Sequence, residues 1–90
     1  MGSASRTVTI CNRRGLHARA SARFIAEADK FASKITVTRE GETVNADSIM
    51  ELLMLGAGCG VAVSIAADGP DAQSAVDALT ALVECGFDED

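Results

Sequence analysis

The sequence predicts an α+β fold: a two-layer, open-faced sandwich of order βαββαβα, with three helices covering one face of a four-stranded sheet. Three observations predict it. Four short segments alternate apolar and polar residues with a period of two. Three others carry apolar residues at spacings of three and four. Turn residues, mostly glycine, stand between them. Ninety residues, 48% of them hydrophobic, suffice for one domain around one core, expected over residues 1–90 with an ordered part of about 6–86.

The elements follow in order. Val8 and Ile10 alternate with Thr7 and Thr9 as a first strand, and Asn12-Arg13-Arg14-Gly15 forms a turn. From Ala18 to Ala32 a stripe of Ala18, Ala22, Ile25, Ala28 and Ala32, flanked by Phe24 and Phe31, predicts an amphipathic helix. Ile35 and Val37 begin a hairpin that turns at Glu40-Gly41 and returns through Thr43-Val44-Asn45. Ser48-Ile49-Met50-Glu51 matches a capping box and starts a short helix through Leu55. Glycines 56, 58 and 60 end it, and Val61, Val63 and Ile65 form the fourth strand. Small outward residues on that strand suit an open sheet face. Pro70 is expected at the first position of the last helix, which buries Ala72, Val76, Leu79 and Val83 and is capped by Gly86. Residues 87–90, with Asp88-Glu89-Asp90, are expected to be a solvated acidic tail.

The net charge of −5 hides a split. All eight Lys and Arg lie in residues 1–39 against Glu27 and Asp29, which makes that part +6. Residues 40–90 hold eleven carboxylates and no Lys or Arg, so −11. The acidic total argues against general nucleic-acid binding, while the basic part leaves room for a local anion site. Base stacking on strand aromatics and a GxxG clamp are both missing. Three scattered cysteines, Cys11, Cys59 and Cys85, fit a reducing compartment and are expected to be small buried apolar side chains. One histidine and no cysteine pair leave no ligand set for a metal, and no cofactor is expected. The Gly56-x-Gly58-x-Gly60 run leads from helix to strand, the reverse of a dinucleotide fingerprint. The longest weakly polar stretch, Leu52 to Ala67, is sixteen residues, which at about 1.5 Å each fall short of a roughly 30 Å hydrocarbon layer. With no apolar leader at its start, a cytoplasmic protein without membrane insertion is expected.

The informative segment is Gly15-Leu16-His17-Ala18-Arg19. It sets the single histidine against a helix start, where unpaired N–H groups and the positive dipole end favour phosphate. An imidazole there is expected to be neutral and nucleophilic. Arg19 can add a planar fork of donors to a phosphoryl group, and Gly15 permits a tight approach. The same residues also fit a plain surface histidine with Arg19 facing solvent. Local chemistry does not choose between the two.

Gly15-Leu16-His17-Ala18-Arg19, followed after about thirty residues by Asn45-Ala46-Asp47-Ser48-Ile49-Met50, resembles the HPr family of phosphocarrier proteins of the bacterial phosphoenolpyruvate-dependent phosphotransferase system. The resemblance runs from about Thr7 to about Glu84. It implies an antiparallel sheet, phosphorylation of His17 on Nδ1 by enzyme I, and transfer onward to an enzyme IIA domain. Arg19 would steady the phosphoryl group. The protein would be a monomeric carrier and a substrate of phosphotransferases, not itself an enzyme. Ala20 stands where the family usually has proline, which loosens the first helical turn without changing the chemistry.

Ser48 is first a helix cap, and by resemblance also a phosphoserine site for an HPr kinase/phosphorylase. A short helix apolar on nearly all sides fits either a core or a partner face. The resemblance implies that Ile49, Met50 and Leu53, with Arg23, dock partners, while Leu52 and Leu55 are expected in the core. Arg14, Arg19 and Arg23 are the basic residues expected around His17, the others being ordinary surface charge. Such a rim would meet acidic partners by electrostatic steering. The rival reading is a regulatory interaction module controlled by Ser48 phosphorylation. It would not need an intact Gly-Leu-His-x-Arg.

Overall fold

A computed structural model describes residues 2–89. The elements are β1 (Gly2–Thr9), α1 (Ala18–Ala28), β2 (Lys34–Arg39), β3 (Glu42–Asn45), α2 (Ile49–Met54), β4 (Ala62–Gly69) and α3 (Ala72–Glu84), followed by a 3-10 turn at Gly86–Asp88. The order is the expected βαββαβα. One four-stranded sheet has the spatial order β1-β4-β2-β3. Every pairing in it is antiparallel, with Val8 opposite Val63 and Val37 opposite both Val44 and Ile65.

Alternation decides which sheet face is covered. Val8, Ile35, Val37, Val44, Val63, Ile65 and Ala67 are buried beneath the helices. The other face is small and polar, with Thr7 bonded to Ser64 at 3.1 Å and Thr38 to Thr43 at 2.8 Å. The β2–β3 hairpin turns through Glu40 and Gly41 at φ 49° and 83°, the paired positive values of a turn that matches strand twist. β1 is longer than the alternation indicated, pairing back to Gly2 against Gly69.

Several local expectations need correction. α1 ends at Ala28, not Ala32, and its buried face is Ala20, Ser21, Phe24 and Ala28. Ala18 and Ala22 are exposed. Alanines lie on every side of this helix, so their spacing cannot phase it; Phe24, only 2% exposed, does. Pro70 precedes the helix cap Asp71 and does not occupy the first helical position. The Asp71 carboxylate is instead tied across the fold, accepting from Ala32 N at 2.8 Å and Ser33 Oγ at 2.6 Å. All three cysteines are exposed, and their thiols donate to backbone carbonyls of Val83, Cys11 and Leu82. Loop and helix ends leave them no core to enter. The α3 face is as expected: Ala72, Val76, Leu79 and Val83 are all buried, and Gly86 follows the helix at φ 68°.

The solvated tail is also overturned. Phe87 is 3% exposed in the core, and Asp88 and Glu89 fold back over the start of α1. Burial of the Phe87 ring outweighs the penalty of its left-handed backbone, φ 57°. Asp90, also expected in that tail, lies outside the described residues.

Candidate functional site

His17 is the N-cap of α1, with extended backbone and no cap hydrogen bond from its side chain. Its carbonyl accepts the first helical bond from Ser21 N at 2.8 Å, so the imidazole is left to other partners. Two features seat the loop ahead of it. Leu16 N donates to Ala57 O at 2.9 Å, and the Asn12 amide donates to Gly15 O at 2.8 Å. The Leu16 side chain is buried beneath the site.

The imidazole itself meets the C-terminal segment. Its Nε2 lies 2.7 Å from Glu89 Oε2, and the two side chains are 19% and 17% exposed. The other Glu89 oxygen accepts from Asn12 Nδ2 at 3.0 Å. Burial pushes the Glu89 carboxyl up. The bonds from Asn12 and His17, with the positive field of His17 and Arg19, outweigh that and hold it below its ordinary range. An ionised carboxylate only accepts, so the hydrogen in this contact belongs to Nε2.

Arg13, Arg14, Arg19, Arg23, Phe87, Asp88 and Glu89 line an open cleft of about 580 Å³. The three arginines expected near His17 are all on it. Arg13, set aside as surface charge, is there too, because the turn after β1 carries it onto the same rim. Arg23 is held by Asp88 at 2.6 Å, both groups being well exposed. Arg39 is not ordinary surface charge either. Its Nη1 donates at 3.1 Å to the carbonyls of Leu55 and Gly56 and so caps the C-terminal end of α2.

At the other end of α2, Ser48 Oγ accepts from Glu51 N at 3.2 Å, the expected cap. The box does not close as predicted. Glu51 reaches back past Ser48 and accepts from Asn45 N at 3.1 Å, tying α2 to the end of β3. Leu52 and Leu55 are buried, as expected, whereas Ile49 (43%), Met50 (69%) and Leu53 (37%) are exposed with Met54 (73%), which sequence reading missed. Ala20 is fully buried at the third position of α1. A proline there would break no helical bond, because N–H groups in the first turn have no partner within the helix.

Sequence reading also missed Asn12 and Glu89. An asparagine opening the turn before Gly15 was the available sign of the first, its burial being visible only in the structure; the second had none.

An imidazole beside an open, arginine-lined cleft, with an exposed apolar helix on the same small sandwich, fits a protein that meets partner surfaces. It has no enclosed substrate chamber among the described residues. The comparisons agree. The family model for the PTS HPr component phosphorylation site matches residues 4–85. The phosphocarrier protein HPr of Cupriavidus necator is 49% identical over 84 residues, covering 93% of this chain and 94% of that one. The phosphocarrier protein NPr of Shewanella violacea is 42% identical over 89 residues, covering 99% and 98%. Among solved structures, HPr-C-His from Thermoanaerobacter tengcongensis superposes with a TM-score of 0.92 at 41% identity, covering 97% and 98%. The chain belongs to the HPr family: it is an HPr/NPr-type phosphocarrier of the phosphotransferase system, a carrier and not a catalytic enzyme.

Proposed function

We propose that His17 is the residue that carries the phosphoryl group, taking it on Nδ1 from phospho-enzyme I and passing it to an enzyme IIA domain in the cytoplasm. The observation that carries this reading is the imidazole at the N-cap of α1, not engaged in capping and set beside an arginine-lined cleft. No acidic residue stands in the first turn of α1 to compete for its positive end. Arg19, in that turn and on the cleft, supplies donors and charge to the phosphoryl oxygens. The exposed Ile49, Met50, Leu53 and Met54 form the apolar part of the partner surface, with Arg23 on its charged part.

Transfer requires the Nδ1 lone pair to reach phosphorus in line with the donor's breaking bond, which an open rim allows and a closed pocket would not. The reading holds for a sugar-uptake branch and for a nitrogen-linked relay alike. The geometry at Ser48 supports the helix cap; phosphorylation there by an HPr kinase/phosphorylase rests on resemblance. A regulatory module working only through Ser48 would leave the His17 and Arg19 arrangement without use.

The test is direct. Incubation with phosphoenolpyruvate and a cognate enzyme I should yield one acid-labile, base-stable phosphate, absent from His17→Ala. Label on that variant, or none on the native chain, would refute the reading.

A further inference from the structure

We propose that Glu89 is a positioning residue for phosphoryl transfer: held by Asn12, it fixes the His17 ring through Nε2–H and leaves Nδ1 as the nucleophile. The inference rests on the carrier reading of His17 and adds the group that aims the imidazole. Three contacts carry it. Glu89 Oε2 is 2.7 Å from His17 Nε2. Glu89 Oε1 is 3.0 Å from Asn12 Nδ2. The same Asn12 amide is 2.8 Å from Gly15 O, in the loop that carries His17.

The clamp is therefore built from both directions. Asn12 is 2% exposed and bridges the loop before the histidine to the carboxylate behind it. Phe87, buried two residues earlier, anchors the returning segment, and Glu89 N donates to Gly86 O at 2.9 Å to hold its direction. Asp88, on Arg23 at 2.6 Å, closes the segment over α1. A solvated tail would have no reason to bury an aromatic ring in a left-handed conformation, and this one does.

The chemistry follows from which nitrogen is engaged. A carboxylate accepting from Nε2–H orients the ring and leaves its other nitrogen unprotonated, the arrangement by which an acid behind a histidine prepares it for reaction. As the Nδ1 lone pair forms the new N–P bond, the donor's bond to phosphorus breaks and its electron pair stays with the donor. The ring, now substituted on one nitrogen and protonated on the other, gains positive charge. Glu89 lies against that charge and shares the Nε2 proton. In the reverse direction, loss of the phosphoryl group returns the ring to neutrality with the proton still in place.

The full-length chain with 15N-labelled histidine tests this without any phosphoryl donor. The native protein should show a downfield, exchange-protected Nε2–H proton for His17. Glu89→Ala should lose it to exchange with water, while Glu89→Gln, which keeps an acceptor oxygen, should retain it nearer its free position. With phospho-enzyme I at neutral pH, Glu89→Ala should accept phosphate about ten-fold more slowly, the scale of effect of groups that orient a histidine from behind. Asn12→Ala should move both readouts in the same direction. A protected Nε2–H that survives in Glu89→Ala overturns the proposal, as does an unchanged or faster transfer rate, which would make the carboxylate a mere occupant of the cleft. A native chain that takes no label at His17 would defeat the carrier reading instead, and the proton spectra would still decide the Glu89–His17 pairing.

Discussion

Gly15 and Ala57 are in backbone contact: a Cβ on Gly15 would stand 2.6 Å from the Ala57 carbonyl oxygen and 2.7 Å from Cα of Gly58. The glycine has φ +65°, and its neighbour Leu16 donates to the same oxygen. The loop that presents His17 thus rests directly on the loop that follows α2. The His17 loop and the loop leaving the exposed α2 helix are held in register by main-chain contacts.

Gly15→Ala should therefore be costly. The left-handed backbone alone disfavours alanine by about 1–2 kcal/mol, and here the added methyl must also displace rigid backbone. Unfolding in urea should show a loss of roughly 2 kcal/mol or more. Labelling of His17 by phospho-enzyme I should slow in the fraction that remains folded.

At the start of α2, Ser48→Ala should cost about 1 kcal/mol, because Glu51 N loses its acceptor. Ser48→Asp should stay within a few tenths of a kcal/mol of the native chain, aspartate being a comparable cap. Denaturant midpoints for the pair measure the cap separately from any effect of charge on docking.

The two faces of α2 should separate stability from binding. Leu52 is fully buried, so Leu52→Ala should destabilise by about 2–5 kcal/mol. Met50 is 69% exposed, and Met50→Ala should change stability by less than about 0.5 kcal/mol. Calorimetric titration with enzyme I should nonetheless show weaker binding for the Met50 variant. Equal affinity would remove α2 from the partner surface.

Acid should act through two carboxylates. The Ser33 hydroxyl, chiefly, and the Ala32 N–H hold Asp71 below its ordinary value of 3.8. A depressed folded value means the unfolded chain binds protons first, so this stabilisation is present above that ordinary value and is lost as pH falls through the lower, folded one. Asp71→Asn should flatten the acid limb of stability against pH. Glu89, held below 4.5, should keep its contact with His17 at neutral pH and release it only under comparable acidity. Amide shifts of residues 86–89, followed from pH 7 downward, check this.

How far each feature could be read from sequence depends on how local its cause is. The β2–β3 hairpin, the Ser48 cap and the buried face of α3 all arise from neighbours within a few residues, and all were legible. The split between Leu52 and Met50, on an all-round apolar helix, was expected only through the family resemblance. The candidate His17 and Arg19 were legible as a motif at a helix start. The phase of α1 was not, because alanine fits either face and a single Phe24 had to choose.

The sequence by itself determined the elements, their order and the histidine to examine, since periodicity, caps and turn residues act over one or two turns of chain. Only the tertiary structure decided the strand order β1-β4-β2-β3, the rim shared by Arg13 and Arg14 with Arg19 and Arg23, and the return of the C-terminal segment. Glu89 and His17 lie 72 residues apart and have no common pattern that marks them as partners. What joins them is the burial of Phe87 and the reach of Asn12, forces that exist only once the sheet and helices have closed around the core.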